Sequence, residues 1–221
     1  MYNQPWSPYH PLPASNPRNT LEVMGEGIVS AAPDKAVVVL GAVTENVNLT
    51  AAQQENASAM TRVIDALLKL SMPKERIQTT QYTIDIVYDY EDGKQQFRGY
   101  RVTHLLQVTV EQVEQTGVVV DTAVRNGANT VSSIRFALAN PETAYTHALS
   151  RAIQQARLKA VSMAKALGVT LQPVPFLVEE MSRTAEPIPY AAAAFAKQEA
   201  TPIQPGELSI TASVKAQFTY Q

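Results

Sequence analysis

The sequence predicts an α+β fold, one or more antiparallel sheets with a long hairpin, packed on one face by two to three helices of which one is long and alanine-rich. Three observations lead there. Residues 140–168 hold the longest uninterrupted helical pattern in the chain, with alanine at every fourth position from Ala144 to Ala164. Residues 82–90 and 100–110 alternate apolar and polar side chains on either side of Glu91-Asp92-Gly93-Lys94, which is the signature of a hairpin. Residues 207–220 alternate without a fault, a pattern that requires one covered and one wet face.

The elements follow in order. Residues 1–19, with prolines at 5, 8, 11, 13 and 17, read as an irregular, partly extended arm, because proline removes backbone donors and turns its predecessor away from helix. With Tyr2, Trp6 and Tyr9 in it, the arm is either a solvated tail or an element whose aromatics dock on a neighbouring subunit. Residues 20–31 read as a strand, with Leu21, Val23 and Val29 against Glu22, Glu26 and Ser30. Gly25 and Gly27 sit inside it; no third glycine opens a helix, so they predict close backbone approach or a bulge rather than a dinucleotide loop. A β-branched run from Lys35 to Val43 reads as a second, more buried strand.

Residues 49–70 read as an amphipathic helix, with Ala52, Ala59, Met60, Val63, Ile64, Leu67 and Leu68 inward, Thr50 and Gln53 at capping-box spacing, and Pro73 as its stop. The hairpin then places Tyr82, Ile84, Ile86, Tyr88 and Tyr90 on one face, opposite a returning arm with Tyr100, Val102, His104, Leu106, Val108 and Val110 on one face. A short helix over 113–126 stops at Gly127, and a strand covers 131–138. In the long helix Asn140 is the cap and Pro141 the first helical residue. Its inward arc is predicted as Tyr145, Leu149, Ala152, Ile153, Ala156, Ala160, Met163, Ala164 and Leu167, with Arg151 and Gln155 on the wet side. Small residues on that arc let the helix lie close against a sheet. Residues 173–181 read as a strand. The Pro- and Ala-rich stretch 182–206 reads as a long connection of functional, assembly-related or disordered character. The expected organisation is thus an arm at 1–19 and a domain at 20–221.

A net charge of −2 provides no field that would gather nucleic acid or anionic lipid, and the absence of cysteine excludes disulfides, thiolate metal sites and a cysteine nucleophile. No stretch reaches the roughly 20 apolar residues of a membrane-spanning helix. No signal-peptide-like run opens the sequence, so a cytoplasmic location is expected, or a periplasmic or cell-surface one if upstream residues were removed.

Candidate chemistry is sparse. His104 lies on the apolar face of its strand and reads as a core histidine; His147 is on the wet side of the long helix and His10 in the arm, with no pair at metal-ligand spacing. Asp85, Asp89, Glu91 and Asp92 cluster near the hairpin tip without the calcium-loop pattern. No nucleophile elbow is present, and the sequons at Asn48 and Asn56 read as a cap and a helix surface. No catalytic, cofactor-binding or metal-binding residue is assigned. The tyrosine face is the surface of interest, its inner members read as core and those near the tip as anchors for a partner. The interface candidates are Tyr82, Tyr88, Tyr90 and Tyr100 on the hairpin, Trp6 and Tyr9 in the arm, and Tyr190 and Phe195 in the 182–206 connection.

Five stretches carry a family resemblance: 23–38, 77–110, 127–138, the Ala152, Ala156, Lys159, Ala160, Ala164, Leu167, Gly168 spacing, and 201–218. In that order they resemble the SIMPL-domain family, over about residues 20–220. The resemblance implies an α+β domain with no assigned catalytic residues. Its relatives include periplasmic immunogenic antigens, proteins linked to oxidative-stress defence and a kinase-interacting adaptor, and self-assembly recurs among them. The expectation is therefore a non-enzymatic, self-associating protein, an oligomeric scaffold with a stress-related or envelope-associated role and no cofactor, whose partner is itself. The second reading is a module that binds another protein or a small ligand through the tyrosine face.

Overall fold

A computed structural model describes residues 19–181, 188–190 and 201–221, with 188–190 described by backbone alone. Along the chain run β1 (Thr20–Ala31), β2 (Lys35–Asn46), α1 (Leu49–Lys69), β3 (Ile77–Glu91), β4 (Lys94–Val110), α2 (Thr116–Arg125), β5 (Thr130–Ala137), α3 (Pro141–Leu167), β6 (Leu177–Glu180), β7 (Ile188–Tyr190) and β8 (Glu207–Thr219). These form two antiparallel sheets, ordered β1-β8-β6 with β7 on β8, and β3-β4-β2-β5. The α+β expectation holds. The described residues gather into two compact units, one of 19–29, 145–181 and 211–221, the other of 30–144 with 188–190 and 201–210.

In the first unit α3 lies on one face of its sheet. Ala152, Ala156 and Ala160 pack with Val23, Val214, Ala216 and Phe218. The approach is close enough that a Cβ on Gly25 would stand 2.0 Å from the Ala152 carbonyl oxygen, and one on Gly27 2.0 Å from that of Ala148. That is the role of the two glycines. It also corrects the predicted arc: the buried row is Tyr145 and the alanines from 148 to 164, whereas Ile153, Met163 and Leu167 are exposed. With helix and strand backbones nearly touching, only the row directly beneath the helix is covered, and longer side chains splay to its flanks.

Those flanks are used. Arg151 Nη1 donates to the Ile28 carbonyl (2.6 Å), Gln155 Oε1 accepts from the Glu26 N–H (2.7 Å) and Lys159 Nζ donates to the Met24 carbonyl (2.8 Å). Three side chains at i, i+4 and i+8 thus satisfy alternate backbone groups of edge strand β1, which blocks pairing by another chain.

In the second unit α1 and α2 cover one face of β2 and β4. Its core joins Ala36, Val38 and Leu40 of β2, Met60, Val63 and Leu67 of α1, Leu106 and Val108 of β4, and Val119 and Ala123 of α2. Asn48 caps α1 through its side chain to the Ala51 N–H, in place of the Thr50 and Gln53 box. Leu68 is exposed rather than inward, and Ala66 takes the buried place. The larger correction is Asn56, read as helix surface but only 1% exposed. Its amide donates to the Ala42 carbonyl (2.9 Å) and the Val102 carbonyl (3.2 Å), tying α1 to both central strands. On α2, Asp121 accepts from the hydroxyl (2.5 Å) and backbone N–H (3.2 Å) of Thr201, which anchors the end of the 182–206 connection. Those bonds, the hydroxyl's first, hold the Asp121 carboxyl below its usual range, with Arg125 adding to the effect.

Candidate functional site

The hairpin of β3 and β4 turns at Asp92 and Gly93, with φ of 50° and 75°. Two successive left-handed residues make the tight turn whose twist matches paired strands, and Asp-Gly is a sequence that tolerates it. Strand β2 pairs with β4 only as far as Asn46 opposite Tyr100, so residues 87–99 continue as a two-stranded ribbon. A ribbon of that kind is marginal alone. Its base is braced by ions: Arg101 Nε lies 2.6 Å and Arg98 Nη2 3.2 Å from the Glu45 carboxylate, and Arg98 Nη1 is 3.5 Å from Asp89. Gly99 is required here as well, since a Cβ on it would stand 2.8 Å from the Asn46 carbonyl oxygen.

The other face of the ribbon is apolar. Ile86 pairs with Tyr100, Ile84 with Val102 and Tyr82 with His104, and paired residues of antiparallel strands share a face. Between Val87 and Tyr88 the register shifts by one residue, so that Tyr88 lies opposite Phe97. That bulge turns Phe97 onto the tyrosine face, where strict alternation from Tyr100 would have turned it away. Edge-to-face contacts join the rings, Tyr88 to Phe97 at 6.4 Å and Phe97 to Tyr100 at 5.4 Å. Phe97 is therefore the member that alternation misses; Gly99, two residues on, is the signal that could have marked the bulge.

None of the outer side chains of this stripe is core. Tyr82 is 50% exposed, Ile86 51%, Tyr88 41% and Tyr90 73%, while Tyr100 is half-buried. Helix α1 reaches only the inner end, where Gln53 Nε2 donates to the Tyr82 hydroxyl at 3.4 Å. The reading of the inner tyrosines as core fails for Tyr82 because β3 is the edge strand, beyond the helix's cover. Of the interface candidates, the structure brings Tyr82, Tyr88, Tyr90 and Tyr100 onto one face. Trp6, Tyr9 and Phe195 lie outside the described residues, and Tyr190 is described only as backbone of β7.

At the inner end His104 stands edge-on to Tyr82, ring centroids 5.3 Å apart, with Nε2 3.2 Å from the Thr79 hydroxyl. Burial lowers its pKa from the ordinary 6.5, so the neutral ring is favoured. Among the described residues no three His, Asp or Glu side chains are grouped so as to hold a metal ion. A surface depression of about 220 Å³ near the end of α1 is lined by Met72, Arg76, Glu111 and Gln115, with Arg76 and Glu111 already paired to each other. The buried phenol of Tyr145 donates to the Glu180 carboxylate, which fastens β6 to α3. Each of these polar groups is committed to structure. What the geometry offers is a stiffened ribbon with one charged and one aromatic face.

The sequence profile of SIMPL, described as a protein of unknown function (DUF541), matches residues 21–218. The chain belongs to the SIMPL family. Its relatives include the 26 kDa periplasmic immunogenic protein of Brucella melitensis, 32% identical over 209 residues, or 90% of this chain and 83% of that one. The uncharacterized protein YggE of Edwardsiella ictaluri is 29% identical over 68% of this chain and 63% of its own. YggE of Escherichia coli K12 is 26% identical, over 68% and 61%. The hairpin and the aromatic face of this SIMPL chain fall inside the matched span, as do both helix-backed sheets but for Thr20 and Thr219 at their ends. Among the described residues no helix is long and apolar enough to cross a membrane.

Proposed function

We propose that this SIMPL protein is a non-enzymatic, self-associating scaffold, and that the aromatic face of the hairpin is buried between copies. The observation that carries the reading is the half-exposed row Tyr82, Ile84, Ile86, Tyr88 and Phe97 on a braced ribbon. A contiguous apolar row of this kind on an isolated chain marks an interaction surface, and Tyr and Phe are the side chains that concentrate energy at one. An envelope-associated role is supported by the name of the Brucella relative, a periplasmic immunogenic protein. A stress-related one is supported only by the resemblance to proteins of oxidative-stress defence. Multi-angle light scattering over a wide concentration range tests the reading. A discrete oligomer whose mass drops on Ile86→Ser is expected; a monomer at the highest concentration overturns it.

A second reading takes the same face as a module for a different protein or a small ligand, and the prominence of Tyr90 at the tip, 73% exposed, favours it. Replacing Tyr88 and Tyr90 by Ser then abolishes partner capture with the fold intact, whereas loss of assembly with capture retained excludes it.

A further inference from the structure

We propose that the occupant of the hairpin's aromatic face is the proline-rich segment 1–18 of a second copy, lying across it as a polyproline-type strand. The proposal rests on the self-association reading and adds which segment of the neighbour is held and how. A chain in the polyproline conformation has three residues per turn, so residues three apart share an edge. Pro5, Pro8 and Pro11 share one edge; Trp6, Tyr9 and Leu12 share the next; Gln4, Ser7 and His10 share the third. The segment is thus amphipathic at the one periodicity its prolines favour, with two apolar edges and one polar edge. Segments of the P-x-x-P type are recognised by aromatic-lined surfaces, because their conformation is pre-set and costs little entropy to hold.

The described residues present one such surface. Exposed aromatic side chains among them are Tyr82, Tyr88, Tyr90 and Phe97 on the hairpin, and Phe176 away from it. Lengths agree: nine residues of polyproline span about 28 Å, and the eight strand steps from Tyr82 to Tyr90 span about 26 Å. The sheet's outer edge is a poor alternative, since five prolines in 18 residues leave too few N–H groups to extend a ladder. The face, which asks for no backbone donors, suits the segment. Charge does not oppose the contact: residues 1–18 carry Arg18 and no carboxylate, and the carboxylates of Asp85 and Asp89 belong to the ribbon's other face.

The test uses the full chain with the photo-crosslinking residue p-benzoylphenylalanine in place of Trp6, mixed with isotope-labelled chain lacking it, irradiated and mapped by mass spectrometry. Expected are cross-links from position 6 to hairpin residues 82–100 of the labelled partner, reduced about tenfold by Tyr88→Ser with Phe97→Ser. Cross-links confined to the same chain, cross-links elsewhere on the neighbour, or none at all overturn the proposal. Light scattering on the same mixture separates the two failures. An oligomer without the cross-link sinks the arm while leaving self-association standing, and a monomer removes both.

Discussion

At the scale of single residues, burial sorts the polar side chains by the bonds they can still make. Partial burial of His104 beside Tyr82 removes hydration that the charged ring would need, so the neutral form is favoured. Its folded pKa lies below the ordinary 6.5, so between those two values the unfolded chain binds the proton more readily than the native one. The stability it contributes is complete above 6.5 and falls away as pH drops through 6.5 toward the folded value. Denaturant midpoints measured across that interval are expected to decline in the native sequence and to flatten there in His104→Gln; equal slopes would refute the assignment. Asn56 makes the complementary point. A polar residue in a helix is ordinarily read as surface, yet here its amide holds two strand carbonyls, and only the packing of α1 across β2 and β4 shows where those carbonyls are.

For the elements, the governing fact is how closely backbones approach. Gly25 and Gly27 admit α3 to the sheet, and the alanine row admits the sheet to α3. Gly25→Ala places a methyl 2.0 Å from a helix carbonyl oxygen, which no side-chain rotation relieves. A loss of about 1–3 kcal/mol or more is expected from such overpacking, read from urea or thermal unfolding. A stability unchanged within error would show that the helix lies farther out. The long strands and helices were legible in the sequence, because periods of 2.0 and 3.6 survive in the order of side chains. The strand expected over 173–181 is only Leu177–Glu180, and the stretch 182–206, read as a connection, holds β7 at Ile188–Tyr190, both too short to show a period. Illegible were the flank of α3, where Arg151, Gln155 and Lys159 serve β1 rather than water, and the one-residue bulge that brings Phe97 to the tyrosines. Both depend on a second element whose distance and register no local pattern encodes.

On the scale of the molecule, one sheet edge is closed and another face is left open. Strand β1 is fastened by α3, whereas β3, 15 residues long and packed on the core at Ile77, runs its outer part past the cover of α1 with Ile84, Ile86, Tyr88 and Tyr90 exposed. If copies bury that stripe, association stabilises the native state by mass action, and the melting temperature rises with protein concentration. Calorimetry over a hundredfold range of concentration is expected to show the rise in the native chain and its absence in Ile86→Ser. A concentration-independent transition in both would speak for an isolated particle.

By itself, the sequence determined the class of fold, the order of its longer elements, the hairpin and its turn, because alternation, turn residues and caps are local properties read along the chain. Tertiary structure alone decided which tyrosines are covered, that Asn56 is interior, that the glycines seat a helix and that Phe97 joins the aromatic face. Each of these turns on a distance between segments far apart in sequence, and such distances exist only once the chain has folded.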